Sequence, residues 1–363
     1  MHIVNRRRFG QGVAAALALG AGHSAHAQTP PSWRELPTTP YNGKQDDIAF
    51  VNPDTGWYGN GAGKLYRTVD GGETWTQIWD QPGTFIRALG FIDAQTGFLG
   101  NVGVGYYPNV ADTRPLYRTD DGGRSWTPVV ADNIGVVAGV CGIDIVREQR
   151  IFQGALRTET IIHAAGRVGG PAAMLRSVDG GETWSVLDLN AHAGMILDVK
   201  FFDAAHGLVC AASASDLSQA NALILRTSDG GATWQEAYRS SRAFENCWKM
   251  SFPSRNVGYA TVQNYAEGAS ARVIVKTTDG GHSWRELPLV DDARVRTFGI
   301  GFVDENWGWV GATTGGFETR DGGAHWSAAD LGRAVNKIRI VRDSARARAF
   351  AIGVSVRRLD LAV

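Results

Sequence analysis

Thr68-Val69-Asp70-Gly71-Gly72-Glu73-Thr74-Trp75 is an octet that the chain repeats five more times, beginning at Thr119, Ser177, Thr227, Thr277 and Thr319. Every copy reads Ser/Thr-x-Asp-Gly-Gly-x-x-Trp, and Ser or Thr precedes the Trp everywhere except at His325. The aspartates Asp70, Asp121, Asp179, Asp229, Asp279 and Asp321 stand 51, 58, 50, 50 and 42 residues apart. A unit recurring at that period is the size of a propeller blade. Adjacent glycines after an aspartate accept positive φ, and the carboxylate takes hydrogen bonds from the turn's own amides, so the octet is a turn between two strands. A residue present once per blade sits at six equivalent places, whereas a reaction needs one asymmetric constellation. The six aspartates are therefore structural.

A second signal lies about 20 residues upstream of each octet. It runs from Phe50 to Gly56-Trp57, Phe91 to Gly97-Phe98, Phe201 to Gly207-Leu208, Phe252 to Gly258-Tyr259 and Phe302 to Gly308-Trp309, with a degenerate copy at Ile143-Asp144-Ile145. Strand, turn and strand make this the inner hairpin of a blade. After the sixth octet come strands for only three quarters of a further blade. The missing strand is at the start of the chain, where Ser32-Trp33-Arg34-Glu35-Leu36-Pro37 copies Ser283-Trp284-Arg285-Glu286-Leu287-Pro288, an outer strand. Completing the last blade with it removes two open sheet edges, so the sequence predicts an all-β, seven-bladed β-propeller closed by an N-terminal strand.

Arg6-Arg7-Arg8-Phe9-Gly10, the apolar run at 13–19 and Ala25-His26-Ala27 read as an export signal peptide over residues 1–27, resembling the twin-arginine type with an ordinary Sec leader as the alternative, and one β-propeller domain spans 28–363. The expected location is periplasmic. The apolar run falls short of the ~20 residues of a transmembrane helix, and no later stretch approaches that length. Removing three leader arginines from 36 basic residues leaves 33 against 36 acidic ones, a charge that does not suggest nucleic acid. Cys141, Cys210 and Cys247 lack metal or haem spacing; they read as buried thiols, with a Cys141–Cys247 or Cys210–Cys247 bridge left open. No cofactor or metal motif is found, and a monomer is expected.

The turns marked by the octets lie on one face of the ring. The sequence places insertions at 101–114, 156–172, 213–221 and 263–272 on the other, where unequal lengths break the symmetry. These offer Tyr106, Tyr107, Arg114, His163, Arg167 and Tyr265 as loop contacts. Aligning the inner hairpins on their Phe brings Asp46, Arg87, Cys141, Leu197, Trp248 and Phe298 into one column, with Asp47, Asp198 and Lys249 one place on. With Glu245, Arg296 and Lys337 nearby, the channel mouth has both charge signs. Its candidate site is Asp46, Asp47, Arg87, Asp198, Glu245, Trp248, Lys249, Arg296 and Lys337. Carboxylate pairs such as Asp47 with Asp198, or Asp46 with Glu245, have the composition of an acid–base dyad.

The octet resembles the Asp-box, or BNR repeat, of sialidases. Sialidase chemistry needs three arginines converging on a carboxylate plus a Tyr nucleophile, and only Arg87 and Arg296 stand near inner-strand starts; Arg67, Arg118, Arg176 and Arg226 precede the boxes on the wrong face. Boxes and inner hairpins together, above all Gly301-Phe302-Val303-Asp304 and Trp307-Gly308-Trp309-Val310-Gly311, resemble the Ycf48 and Hcf136 family of photosystem II assembly factors over residues 32–363. That resemblance implies a seven-bladed propeller that binds a protein partner during assembly. The reading is thus an exported binding or assembly module acting through its long-loop face. The alternative is a carbohydrate-active hydrolase or lyase, with an extracytoplasmic glycan or small ligand at the mouth.

Overall fold

Asp-Gly-Gly turns and apolar alternation build the same four-stranded antiparallel sheet again and again. The computed structural model describes residues 32–152 and 154–361; the leader read from the sequence lies outside them. Seven such sheets are found among the described residues. From channel to rim, blade 1 comprises strands Gln45–Phe50, Gly56–Asn60, Lys64–Thr68 and Thr76–Asp80. Blades 2 to 6 repeat that order from innermost strands Ile86–Phe91, Gly142–Phe152, Met195–Phe201, Glu245–Ser251 and Thr297–Phe302. Blade 7 takes Lys337–Arg342, Ala347–Ile352 and Val356–Leu361 from the end of the chain and Arg34–Glu35 from its beginning.

That last pairing is the clasp. Arg34 lies opposite Arg358 and Glu35 opposite Arg357, and the Leu36 N–H donates to the Val356 carbonyl at 2.8 Å. Leu36 is buried with Ile48, Tyr58 and Tyr66 of blade 1 and Phe350 and Ile352 of blade 7, while Trp33 meets Trp309 of blade 6 edge-on at 5.3 Å. The N-terminal strand therefore closes both an edge and two blade interfaces.

Each box works as its composition requires. In blade 1, Gly71 and Gly72 have φ of 73° and 91°. Thr68 Oγ1 donates to Asp70 Oδ1 at 2.7 Å and accepts from the Gly72 N–H at 2.9 Å, while the Thr74 N–H and hydroxyl donate to the two Asp70 oxygens at 3.0 and 2.6 Å. His325 keeps the pattern, its Nδ1 lying 2.6 Å from Asp321 Oδ2. Burial alone would raise the Asp70 carboxyl, but the Thr74 and Thr68 bonds outweigh it and hold it at about 2. The box tryptophans are wedges: Trp184 of blade 3 meets Phe98 of blade 2 at 5.4 Å, and Trp234 of blade 4 packs in the cluster it shares with blade 3.

Blade 3 departs from the sequence reading. In blades 1 and 2 a box glycine donates to the inner-hairpin turn, Gly71 to Asp54 and Gly122 to Gln95; in blade 3 the equivalent bond, Gly180 to Thr160, falls well before the hairpin tip. Strands Gly142–Phe152 and Ala155–Ala165 thus extend beyond the box face. Residues 156–165, expected in a loop on the opposite face, are strand, and only 166–172 form that loop. The run Thr158-Glu159-Thr160-Ile161-Ile162 has the β-branched composition that favours a strand.

Candidate functional site

The innermost strands enter the channel through β-bulges. Their ladders slip between Gln45 and Asp47, Ile86 and Ala88, Ile196 and Asp198, Cys247 and Met250, and Thr297 and Ile300. The residues in the slips include Asp46, Arg87, Leu197, Trp248 and Phe298, five of the six in the aligned column. A bulge frees a residue from the in-and-out alternation and re-aims its side chain. Here it turns them toward the axis.

At the axis they meet across the ring. Arg87 of blade 2 forms an ion pair with Asp46 of blade 1 and lies 5.0 Å from the ring of Trp248 in blade 5. Trp248 Nε1 donates to Asn336 Oδ1 of blade 7 at 3.2 Å; Asn336 Nδ2 donates to the Asp46 carbonyl at 2.9 Å. Lys44 Nζ reaches Asn336 Oδ1 at 3.2 Å and Asp46 at 3.5 Å. Lys249 donates to the carbonyls of Cys141 and Leu197 at 3.1 and 2.6 Å. Asp46, Arg87, Trp248, Lys249 and Lys337 are all buried. The polar mouth read from the sequence is a plug of buried, paired charges.

The carboxylates one place on are inter-blade clips. Asp47 accepts from the Ile48 and Leu89 N–H groups, each at 2.7 Å, and from Lys337 Nζ at 2.6 Å. Asp198 accepts from the Met250 N–H at 3.1 Å and lies 3.4 Å from Lys249 Nζ. Asp144 does the same for the Phe201 N–H and Lys200 at 2.8 and 3.0 Å. Burial opposes the Asp47 charge, but Lys337 and Arg339 outweigh it and hold its carboxyl below the usual range; burial pushes Lys337 down to about 7. Carboxylates so fully engaged are poorly placed to exchange protons with a substrate. Glu245 is tied at one oxygen to Arg242 and Asn264, at 2.7 and 2.8 Å.

Above the plug lies a more open rim. Tyr106 and Tyr107 come from the 101–114 loop, their rings 4.8 Å apart edge to face, and Tyr107 stacks on Phe85 at 4.5 Å. Tyr265 comes from blade 5, with the exposed Arg296 guanidinium 4.3 Å from its ring. Burial raises the Tyr106 and Tyr265 phenols against the opposing charges of Arg87 and Arg296. A pocket of ≈ 290 Å³ between Tyr41, Lys44, Asp46, Phe85 and Tyr107 opens beside it. One buried Asp46 oxygen, Oδ2, has no hydrogen-bond partner among the described residues.

The remaining candidates separate. Arg167 braces the rim by donating to the Gly170 and Val104 carbonyls at 2.9 and 2.8 Å. Arg114 is exposed at the end of its loop. His163 is not a loop residue: it is fully buried within Ala155–Ala165 and stacks on Phe201 of blade 4 at 3.5 Å. It occupies the place of Trp57, which stacks on Phe91, and of Tyr259, which stacks on Phe302. Pairing with the residue before the box, His163 with Arg176 as Trp57 with Arg67, is the signal that would have found it. Sequence reasoning missed Tyr41 and Lys44, which precede the first strand of blade 1 and so fall outside the aligned column, and Asn336, since blade 7 lacks the Phe/Gly hairpin signature used for the alignment.

Six box turns and a seventh blade closed by the N-terminal strand define an Asp-box β-propeller. More closely, the fold is similar to that of Ycf48 propellers. Residues 182–294 match the family described as Photosynthesis system II assembly factor YCF48. The solved structure of YCF48 bound to D1 peptide is 18% identical, with a TM-score of 0.61 over 93% of this chain and 97% of that one. YCF48 from Cyanidioschyzon merolae is 15% identical, also at 0.61, over 90% and 98%. The extracellular domain of a hybrid two-component system of B. thetaiotaomicron reaches 0.61 at 8% identity, over 91% of this chain and 39% of that one. No curated protein matches the chain.

Proposed function

We propose that the protein is an exported binding and assembly-type propeller that captures an extended polypeptide segment at the rim formed by Tyr106, Tyr107, Tyr265 and Arg296. The observation that carries this reading is the set of three tyrosines from blades 2 and 5, Tyr106 packed edge to face on Tyr107 and Tyr265 against the exposed Arg296, beside the buried Arg87–Asp46 pair. Tyrosine supplies large contact area at low entropic cost, and arginine pairs with carboxylates and stacks on rings, so the two together make binding anchors. A YCF48 structure holds a D1 peptide, which supports a protein partner for a propeller of this fold. The engagement of Asp47 and Asp198 in blade clips favours binding over acid–base hydrolysis.

A fluorescent peptide library titrated against the protein tests this. Tyr265→Ala and Tyr107→Ala should each weaken the tightest peptides about tenfold or more, while Asp279→Asn on the box face should leave them unchanged. Equal affinity in all variants, or glycan hydrolysis that Glu245→Gln abolishes in a folded protein, would overturn the reading.

A further inference from the structure

We propose that Cys210 and Cys247 are the site of a disulfide that staples blade 4 to blade 5. Cys210 lies in the second strand of blade 4, Gly207–Ala212, and Cys247 in the innermost strand of blade 5. Their Sγ atoms are 2.8 Å apart across the blade interface, and both residues are fully buried. Their neighbours are apolar: Leu208, Ile224, Ala260, Val262 and Val275. Each sulfur therefore has the other as its chemical partner. Cys141 is buried elsewhere, with Val102 and Val110, and has no such partner.

Position gives the bond a consequence. Cys210 pairs in register with Asp198, and Cys247 directly precedes Trp248 and Lys249 at the bulge. The bond would thus tie the strand paired with that of Asp198 to the strand that carries Lys249 and the tryptophan of the plug. It closes a loop between residues 37 apart in sequence, long enough to restrict the unfolded chain appreciably.

The chemistry is thiol–disulfide exchange with an external disulfide oxidant, such as oxidised glutathione. One cysteine thiolate attacks a sulfur of the oxidant and releases a thiol. The second cysteine attacks the mixed disulfide and releases the other thiol, so two electrons and two protons pass to the oxidant. Burial of both sulfurs keeps an oxidant out of the closed ring, which sets the exchange before blades 4 and 5 dock.

The test is to unfold the full chain in denaturant with reductant and refold it in a mixture of reduced and oxidised glutathione, or in reductant alone. Free thiols are then alkylated under denaturing conditions and the peptides mapped by mass. The oxidising arm should give one cross-linked pair, Cys210 with Cys247, and an alkylated Cys141. Its melting temperature should exceed that of the reduced arm by about 5 °C. Cys141→Ser should behave identically, and Cys247→Ser should lose both the cross-link and the shift. Alkylation of all three cysteines after oxidative refolding, or a bond that includes Cys141, overturns the proposal; mapping of Cys141→Ser decides this even if Cys247→Ser does not fold.

Discussion

Replacing His163 with Phe should leave the protein at least as stable at neutral pH and remove about 2.5 kcal/mol of its sensitivity to mild acid. The imidazole is fully buried against Phe201, with neither ring nitrogen hydrogen-bonded. Burial, with Arg176 and Lys200 adding, drives it down from 6.5 to about 3. A base whose folded pKa is depressed takes up its proton in the unfolded chain first. Stability therefore falls as pH drops below 6.5, by about 1.4 kcal/mol per unit, until the folded state also protonates near 3. Between pH 7.5 and 4.5 that integrates to about 2.5 kcal/mol. Phe makes the same stack and has no proton to gain, as at the Tyr259–Phe302 and Trp57–Phe91 interfaces, whose ring centroids lie 3.7 and 3.6 Å apart. Equilibrium unfolding in urea, followed by tryptophan fluorescence at both pH values, measures the difference. Carboxylates common to both proteins cancel in the comparison. Parallel pH dependence in wild type and His163→Phe would show that the imidazole is not held neutral between the blades.

Three further outcomes follow from the scaffold. Leu36→Ala should cost about 2–4 kcal/mol in denaturant unfolding, because the side chain fills the interface between blades 7 and 1, and a chain starting at Thr39 should lose more; an unchanged midpoint in either would mean another segment closes the ring. The Asp279 carboxyl is held at about 2 because the Ser283 bonds outweigh burial, so its contribution is present above the ordinary carboxylate range and lost as pH falls through 2. Asp279→Asn should accordingly show a smaller drop in melting temperature between pH 4 and 2 than the wild type. Lys337→Met should cost about 3 kcal/mol by leaving the buried Asp47 carboxylate with Arg339 as its remaining cation, and a stability loss below 1 kcal/mol would show that water reaches the plug.

The box announces itself because a tight turn constrains residue type at every position: glycines for positive φ, a short acid for the amides, a hydroxyl at each end. Blade number, closure by Trp33 to Leu36 and the wedge tryptophans were all legible for that reason. Blade 3 was not, since Ile162 stands where other blades have glycine, and nothing marks how far the hairpin continues past it. The aligned column pointed at the axis, but the alternation of a regular strand gives no sign of a bulge. Whether Asp46 or Trp248 meets water or a partner across the ring depends on channel width, a property of seven blades together. The carboxylates looked like catalytic candidates for the same reason: a sequence shows an acid near a strand start but not the N–H of the next blade that occupies it.

That occupancy bears on where function can reside in this ring. Asp47, Asp144 and Asp198 each hold a neighbouring blade by a backbone N–H and a lysine, so repetition has reached the channel wall as well as the box face. Asymmetry enters through the loops that join second and third strands, whose lengths the repeat does not fix, and through the plug residues that only one blade supplies. Tyr106, Tyr107 and Tyr265 belong to the first group, Trp248 and Asn336 to the second, and the two groups meet at the rim. A ligand bound there would contact blades 2 and 5 across the axis, so its affinity would depend on the ring being closed. Weakening the clasp at Leu36 should then lower peptide affinity without touching a rim residue, whereas a ligand held by one loop alone would be indifferent to it.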